Sequence, residues 1–158
     1  MDIILERATV EDAEAILSLQ LLAYQQEAAI YNNYEIPPLL QSLAHLREEF
    51  HTHTFLVARL NQEIVGSVRA LCRDGRCHIG RLIVHPRLQR QGLGSRLIAA
   101  IEAAFPEAQF YELFTGHRSE GNLRLYQRLG YREFKRQPSA PGLEIVFLEK
   151  SRSSLPRR

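Results

Sequence analysis

The chain has 158 residues, of which 45% are hydrophobic and 24% are charged, and it carries a formal net charge of +2 at pH 7. That length suits one domain, and the composition is that of an ordinary globular protein. So small a net charge gives no support for nucleic-acid binding, and no apolar run approaches the roughly 20 residues of a membrane-spanning helix. The N-terminus lacks the basic segment of a secretory signal. We therefore expect a cytoplasmic protein with a single domain over residues 1–150 and a flexible basic tail over 151–158.

The first third of the sequence predicts one strand followed by two helices. Ile3–Arg7 has the pattern of a short strand. Thr9, with Asp12 three residues later, forms a partial capping box that opens a helix of apolar residues at helical spacing. The prolines at 37–38 exclude a continuation of that helix. A second, shorter helix is predicted over residues 39–50.

The middle of the chain changes to the pattern of β-strands. Three strand-like segments, residues 54–60, 63–72 and 77–84, are separated by an Asn-Gln turn and by an Asp-Gly turn that is typical of hairpins. They predict an antiparallel meander. Cys72 and Cys77 flank the second turn, where a disulfide is geometrically conceivable. Two thiols in a chain without a secretory segment nevertheless favour free cysteines.

The last part of the chain alternates helices with strands. A helix is predicted up to about Ala104, followed by a strand over 108–115 and a helix over 119–130 that ends in a glycine cap. Two final strands, 131–137 and 143–150, are joined by the segment PSAPG. The order of the elements predicts an α/β (α+β) fold: a mixed, mostly antiparallel central sheet of about seven strands, flanked by about four helices.

The stretch HPRLQRQGLGSRL places Gly92 and Gly94 at the start of a helix, where glycine costs up to about 1 kcal/mol relative to alanine. The first N–H groups of a helix have no intrahelical partner, and a phosphate approaches them closely where no Cβ intervenes. A Walker loop is excluded because Ser95 and Arg96 follow Gly94, and a dinucleotide fingerprint fits poorly because Leu97 stands at its third glycine. The sequence therefore predicts a phosphate or pyrophosphate site. A helix start that only packs tightly stays open as the alternative.

The segments around these glycines resemble the GCN5-related N-acetyltransferase (GNAT) family. Gln89, Gly92 and Gly94 match the family pattern Gln/Arg-x-x-Gly-x-Gly/Ala. RLIVHP looks like the strand and turn that precede that pattern, and LYQRLGY resembles the second family signature. The resemblance extends to the order of elements along almost the whole chain. It implies the GNAT fold and an acetyl-CoA-dependent N-acetyltransferase in which the amine attacks directly in a ternary complex, with no acyl-enzyme.

The resemblance also implies where acetyl-CoA binds, with its pyrophosphate on the glycine motif and its pantetheine along the preceding strand. The next strand is expected to splay away and admit the thioester. Tyr126 matches the family's general acid, and the amide of Val84 is the expected oxyanion donor. Ser119 stands where the family often has asparagine, with an N-cap as the alternative role, and Asn122 is expected to contact the pantetheine. The implied cofactor-binding residues are Leu82, Ile83, Val84, Gln89, Arg90, Gln91, Gly92, Leu93, Gly94, Ser95, Arg96, Asn122 and Tyr126.

The resemblance does not identify the catalytic base, the group that accepts a proton from the amine. Several family members use a glutamate on the strand before the glycine motif, and this sequence has His78 and Gly80 at those positions. His78 is the predicted catalytic base, because an imidazole titrates near neutrality. An exposed strand histidine, an ordered water and capture of an already neutral amine remain alternatives, and Glu112 is a second candidate. The predicted substrate-binding residues are Tyr31, Tyr34, Glu35 and Glu112, with Glu35 expected to attract a cationic amine.

The missing glutamate leaves two other functions open. One is a non-catalytic acyl-CoA-binding sensor or interaction module on the same fold, and the other is acetylation of protein termini or lysines. The short chain and the acidic loop favour a small-molecule amine as the acceptor. No metal is expected, because His51 and His53 have no third ligand cluster nearby. The predicted partners are acetyl-CoA and a small amine, with no nucleic acid, no membrane, and a homodimer as the assembly common in the family.

Overall fold

The computed structural model describes residues 2–152, and these residues form one seven-stranded sheet with five helices. The strands are β1 (Ile3–Arg7), β2 (Thr54–Leu60), β3 (Glu63–Arg73), β4 (Arg76–Val84), β5 (Phe110–Gly116), β6 (Arg132–Ala140) and β7 (Leu143–Ser151). The helices are α1 (Ala13–Tyr31), α2 (Pro37–Leu40), α3 (Leu43–Glu49), α4 (Leu93–Ala104) and α5 (Glu120–Arg128). The predicted mixed α/β fold is confirmed, with five helices in the described part of the chain where about four were expected.

The sheet has the order β1-β2-β3-β4-β5-β7-β6, and all neighbours are antiparallel except β4 and β5. This parallel pair has only three paired positions, which run from Arg76 to His78 on β4 and from Phe110 to Glu112 on β5. β5 pairs with β7 along its whole length instead. The two strands therefore separate beyond His78 and leave an opening in the middle of the sheet, as the family resemblance implied.

A β-bulge in β4 lies at this opening. The register with β3 shifts between Ser67 and Arg69, so that Arg81 and Leu82 together oppose the single residue Val68. Arg81 adopts φ = 50°, a left-handed conformation that costs a non-glycine residue about 1–2 kcal/mol. Bulges next to active sites commonly redirect a side chain. Here the bulge sends Arg81 toward α1 and α2, and Leu82 toward α4.

Helices cover both faces of the sheet. α4 and α5 pack against one face, in a core that includes Leu97 and Ile101. α1 and α3 pack against the other face, in a core that includes Ile16 and Leu46 and is confined to strands β2 to β4. Each face of the sheet is therefore held by its own hydrophobic core, and the opening between β4 and β5 is reached from both.

The region predicted as one helix over residues 39–50 contains two short helices. Pro37 and Pro38 occupy the first turn of α2, where a missing N–H costs nothing because it has no intrahelical partner. Gln41 then takes an extended conformation with ψ = 134°. Ser42 begins α3 as its N-cap, and its Oγ accepts a hydrogen bond from the N–H of His45 at 3.1 Å. The helix prediction was therefore wrong in its start and in its continuity.

The last hairpin has a shorter turn than predicted. β6 continues through Pro138 to Ala140, so the turn is Pro141-Gly142 and not the whole segment PSAPG. Pro138 is tolerated because β6 is an edge strand, where a missing donor breaks no ladder. Beyond the hairpin, Ser151 belongs to β7 and the N–H of Arg152 donates to Gln109 O at 2.8 Å. These two residues of the predicted tail thus belong to the domain, and residues 153–158 lie outside the described residues.

Two further expectations concern the cysteines and membrane insertion. Cys72 and Cys77 are direct cross-strand partners in the β3–β4 hairpin, and both are free thiols, as predicted. In the part of the chain that the structure describes, no helix has the length and apolar character needed to cross a membrane.

Candidate active site

A groove with a volume of about 1180 Å³ runs through the opening between β4 and β5. Pockets for small molecules usually measure about 300–1,000 Å³, so this groove is large enough for an extended ligand or for two ligands. The predicted site residues that line it are Tyr31, Leu82, Ile83, Val84, Gln89, Arg90, Gly92, Leu93, Gly94, Ser95, Asn122 and Tyr126. The groove thus unites most of the residues implied for cofactor binding with one predicted acceptor residue.

One end of the groove is the start of α4, and its backbone is arranged to bind an anion. Arg90 and Gly92 have positive φ angles of 64° and 82°, a conformation that turns backbone N–H groups toward a common point. The first helical hydrogen bond is donated by Arg96 N to Gly92 O at 3.1 Å. The N–H groups of the three residues between them therefore lack intrahelical partners, and they lie at the positive end of the helix dipole.

The two glycines of this loop are needed for different reasons. A Cβ added to Gly92 would meet nothing within 4 Å, so glycine is favoured there by its φ of 82° alone. A Cβ added to Gly94 would lie 3.3 Å from Leu125 Cδ2 and 3.7 Å from Leu82 Cδ2. Gly94 therefore lets α4 begin close to α5 and β4. The tight-packing alternative left open by the sequence holds for Gly94, whereas Gly92 shapes the loop that carries the free N–H groups.

The side of β4 that faces the groove is a free polar edge. His85 N donates to Val65 O on β3 at 2.8 Å. Successive residues of an antiparallel strand present their N–H and C=O groups to opposite sides, so those of Val84 point away from β3. β5 has already separated from β4 at this level, because their pairing ends at His78. The Val84 N–H is therefore available to a ligand in the groove.

Two residues implied for cofactor binding do not line the groove. Arg96 donates from Nη2 to the carbonyl oxygen of Ile3 on β1, at 3.1 Å. This contact points its guanidinium away from the groove, because successive helical residues face different directions around the axis. Gln91 is exposed on the outer side of the loop. Two residues earlier, Gln89 lines the groove and donates to Gln26 Oε1 on α1 at 3.1 Å.

Tyr126 lies in the groove with 6% of its surface exposed. Its hydroxyl makes no hydrogen bond to any residue from 2 to 152, so it is available to a ligand. Burial raises the pKa of Tyr126, and the nearby Tyr24 and Glu27 on α1 raise it further. The side chain is therefore a neutral hydrogen-bond donor throughout the physiological pH range.

A hydrogen-bonded bridge joins α1 to α5 across the groove. Ser119 Oγ donates to Glu27 Oε2 at 2.6 Å, and Asn122 Nδ2 donates to Glu27 Oε1 and Thr115 Oγ1, both at 3.2 Å. The hydroxyls of Tyr31 and Ser119 are 2.8 Å apart. Ser119 occupies the N-cap position of α5, but its hydroxyl is used in this bridge and not in capping. The Glu27 carboxylate is held by neutral donors and has no ion-pair partner among residues 2–152.

Sequence reasoning missed Glu27, because a glutamate within a helix carries no motif. One signal was present in its spacing. Tyr24, Glu27 and Tyr31 recur every three to four residues, which places three polar side chains on one face of α1. All three line the groove.

The far end of the groove, under α2, contains a network of charged side chains. Arg81 Nη1 donates to Gln41 Oε1 at 3.1 Å, and Gln41 Nε2 donates to Glu49 Oε1 at 2.6 Å. Glu49 also forms an ion pair with Arg69. Burial raises the pKa of Glu49, but the hydrogen bonds from Arg69 and Gln41 outweigh burial and lower it overall. Of these residues, Arg81 is the one that lines the groove.

The loop predicted to form the acceptor pocket contributes less than expected. Tyr34 is 52% exposed, and neither Tyr34 nor Glu35 lines the groove. The N–H of Glu35 donates to Asn33 Oδ1 at 2.9 Å in a tight turn that keeps this segment on the surface. Tyr31 at the end of α1 and the prolines of α2 form the wall instead.

His78 and Glu112 lie together at the closed end of the opening. They are the last paired residues of β4 and β5, and His78 Nδ1 is 3.5 Å from Glu112 Oε2. Glu112 also accepts from Arg76 Nη1 at 2.9 Å. Neither His78 nor Glu112 lines the groove, whereas Gly80 does. Of the two positions where the family often has a glutamate, the one that faces the groove is therefore occupied by a glycine.

Residues 2–152 contain no group of three or more His, Cys, Asp or Glu side chains that could hold a metal ion.

Comparison with known proteins identifies the family. A family model described as the acetyltransferase (GNAT) family matches residues 14–131. The chain belongs to the GNAT acetyltransferase family. The resemblance that the sequence motifs indicated is thereby confirmed.

Solved structures confirm the GNAT fold. A PaiA N-acetyltransferase from Thermoplasma acidophilum in complex with coenzyme A is 16% identical, with a TM-score of 0.79 over 96% of this chain and 99% of that chain. YncA, a putative acetyltransferase from Salmonella typhimurium with its cofactor acetyl-CoA, is 17% identical, with a TM-score of 0.76 over 100% of this chain and 98% of that chain. Identities this low establish the fold alone.

One curated relative also matches this GNAT chain. The UPF0157 protein YqkA of Bacillus subtilis is 26% identical over 131 residues, which are 83% of this chain. The chain spans 38% of the length of that relative.

Proposed function

We propose that this protein transfers an acetyl group from acetyl-CoA to the primary amine of a small-molecule acceptor, by direct attack in a ternary complex. The groove between β4 and β5 carries the proposal, because it connects an anion-binding helix start and a free strand edge with a separate end under α1 and α2. Membership of the GNAT family supports it, and the similar PaiA and YncA structures contain coenzyme A and acetyl-CoA, respectively.

The residues of the groove suit acetyl-CoA. The free N–H groups of Leu93, Gly94 and Ser95 would bind its pyrophosphate, and the polar edge of β4 would pair with the amides of its pantetheine. Bound acetyl-CoA supplies a thioester carbonyl as the acyl donor. The Val84 N–H is the proposed donor to the carbonyl oxygen as negative charge develops there, and Asn122 is a proposed pantetheine contact.

The proposed transfer removes two protons from the nitrogen of the acceptor. The acceptor ammonium loses one proton, the neutral amine attacks the carbonyl carbon, the C–N bond forms and the C–S bond breaks. The nitrogen loses a second proton and the thiolate gains one, so that one proton is released overall. Glu27 and the exposed Glu120 are the carboxylates that line the groove, and Glu27 is better placed than His78 or Glu112 to accept the first proton.

Tyr126 is proposed to act on the leaving thiolate. A phenol has an ordinary pKa of about 10 and a thiol one of about 8.5, and burial raises the pKa of Tyr126 further. Full proton transfer from this phenol to a thiolate is therefore unfavourable. We infer that Tyr126 stabilises the thiolate by donating a hydrogen bond, and that solvent supplies the proton.

Thiol release from acetyl-CoA tests the proposal, with a panel of amines, amino acids, polyamines and peptides as acceptors. Turnover of a small amine supports the enzyme, and turnover of peptides alone would move the assignment to a protein N-acetyltransferase. Tight CoA binding without turnover of any acceptor would favour the sensor. The cytoplasmic location and the homodimer stay predictions.

A further inference from the structure

Arg81 is a half-buried cation that faces the acceptor end of the groove without an anionic partner. It lines the groove, and the hydrogen bond that it donates to Gln41 Oε1, at 3.1 Å, is the one side-chain hydrogen bond of its guanidinium among residues 2–152. A guanidinium has five N–H donors in a rigid fork, so most of its donor capacity remains unused.

The guanidinium of Arg81 is held in position by Gln41, which has hydrogen-bond partners of its own. Gln41 Oε1 also accepts from Gln20 Nε2 at 2.9 Å, while Gln41 Nε2 is held by Glu49 Oε1 at 2.6 Å. Gln20 donates from the same nitrogen to Pro38 O at 2.9 Å. The side chain that orients Arg81 is therefore itself held at both ends.

The charges in this region do not cancel. Two guanidiniums, those of Arg69 and Arg81, face one carboxylate, that of Glu49, which is already paired with Arg69. Burial lowers the pKa of Arg81 and the charge of Arg69 lowers it further, and these effects outweigh those of Tyr24 and Glu49, which raise it. A charge that is removed from water is costly unless it is paired. An anion on a ligand would supply the missing partner.

A charge of opposite sign lies in the same groove. The Glu27 carboxylate accepts only from Ser119 and Asn122, and no cationic side chain among the described residues pairs with it. Arg81 and Glu27 are both close enough to Tyr24 to affect its pKa, which Arg81 lowers and Glu27 raises. The wall of the groove thus contains an unpaired cation and an unpaired anion, and Tyr24 lines the same groove.

We propose that the acceptor is an amine that also carries a carboxylate, as a free amino acid does, with its carboxylate on Arg81 and its ammonium toward Glu27. This rests on the acetyl transfer proposed above and names its substrate class. The planar fork of arginine matches a carboxylate in a bidentate arrangement, which lysine does not reproduce. The acceptor needs its free carboxylate, so peptides and amino-acid amides are poor substrates and polyamines are poorer.

The test compares acceptors that differ only in the carboxylate. Thiol release is measured with a free amino acid, its carboxamide and its decarboxylated amine, using wild-type protein, Arg81→Gln, Arg81→Lys and the control Arg73→Gln. Arg73 is exposed on β3 and lines no part of the groove, so its variant matches the chemical change without altering the site. Thermal unfolding of each variant establishes that it is folded.

The expected result is a selective loss. Arg81→Gln raises KM for the amino acid about 10- to 100-fold, which corresponds to loss of a charge-assisted hydrogen bond, and leaves kcat and the carboxamide kinetics nearly unchanged. Arg81→Lys is intermediate and Arg73→Gln behaves like the wild type. Equal use of amino acid and decarboxylated amine, or an equal effect of Arg81→Gln on all three acceptors, overturns the proposal while acetyl transfer stands.

Binding separates failure of this inference from failure of the proposed function. Calorimetric titration of the amino acid into protein saturated with CoA measures the Arg81 contact without turnover. The wild-type protein could bind the amino acid, and Arg81→Gln could abolish that binding, while no acceptor gives thiol release. That result would support the carboxylate site and overturn the proposed acetyl transfer. If the amino acid is neither bound nor acetylated, the carboxylate site is overturned as well.

Discussion

Replacement of Gly116 by alanine tests how the wall of the groove is built. Gly116 ends β5, and its missing side chain leaves the space that the ring of Tyr31 occupies. A Cβ added there would lie 2.5 Å from Tyr31 Cζ and closer still to its hydroxyl oxygen. The backbone of Gly116 is not left-handed, so alanine itself would be unstrained. The Tyr31 ring must therefore move.

The structure gives the size of the effect. The displaced Tyr31 hydroxyl loses its hydrogen bond with Ser119 Oγ, at 2.8 Å, and the one it accepts from Arg118 N, at 2.9 Å. Each is worth about 0.5–1.5 kcal/mol, so their loss costs about 1–3 kcal/mol. Alanine restricts the unfolded chain and returns about 0.4–1 kcal/mol. Since each kcal/mol shifts the Tm of a domain this size by roughly 2–4 °C, we expect Gly116→Ala to lower the Tm by several degrees.

Thermal and urea unfolding measure this change, with Gly121→Ala as the control. A Cβ at Gly121 would meet nothing within 4 Å, and this residue lies in α5, so alanine there stabilises by up to about 1 kcal/mol. In a Tyr31→Ala background the ring is gone, and Gly116→Ala should then be neutral or stabilising. Equal destabilisation by Gly116→Ala with and without the ring would refute the reasoning.

Four further predictions concern the donor site and two buried groups. Tyr126→Phe removes the hydrogen bond to the developing thiolate, so it should lower kcat about 10²-fold in the thiol-release assay and leave the calorimetric Kd for CoA nearly unchanged. Gly92→Ala, with φ = 82°, should cost about 1–2 kcal/mol in urea unfolding and weaken CoA binding. The pKa of Glu49 is lowered in the folded state, so its contribution to the free energy of unfolding is complete above the unfolded pKa of about 4.3 and is lost as pH falls through the folded pKa. Glu49→Gln should therefore destabilise more at pH 7 than at pH 3 in urea unfolding. Burial raises the pKa of Cys77 to about 12, so iodoacetamide at pH 8 should alkylate Cys72 in the native protein, as peptide mass mapping would detect, and spare Cys77 until the chain unfolds.

The elements that the sequence predicts well are those whose signals are local. The Asn61-Gln62 and Asp74-Gly75 turns both adopt the left-handed conformations that two-residue hairpins require, and the types of Asn61, Asp74 and Gly75 indicate this directly. Gly130, with φ = 97°, ends α5 as predicted. In each case the deciding interaction lies within a few residues of the signal.

The boundaries that were wrong depend on tertiary context. A proline such as Pro138 is compatible with a strand only at the edge of the sheet. Whether a strand lies at the edge depends on the order of the strands in the sheet, and no local sequence pattern contains that order. Likewise Gln41 interrupts the helical region after α2 while its side chain joins Gln20, Arg81 and Glu49. These contacts span 8 to 40 residues of sequence, so local helical periodicity gives no sign of them.

The same limit affects the candidate site and changes the expected acceptor. The donor half was predictable, because Gly92 and Gly94 stand in one short motif. For the acceptor half, the sequence offered Glu35 as the nearest charge and hence a cationic amine. The fold turns Glu35 outward, while a bulge with one left-handed residue turns Arg81 inward. A single backbone irregularity in β4 thus adds a positive charge to the groove that also contains the Glu27 carboxylate. An acceptor with only positive charge would leave Arg81 unpaired, whereas an amine with a carboxylate pairs both.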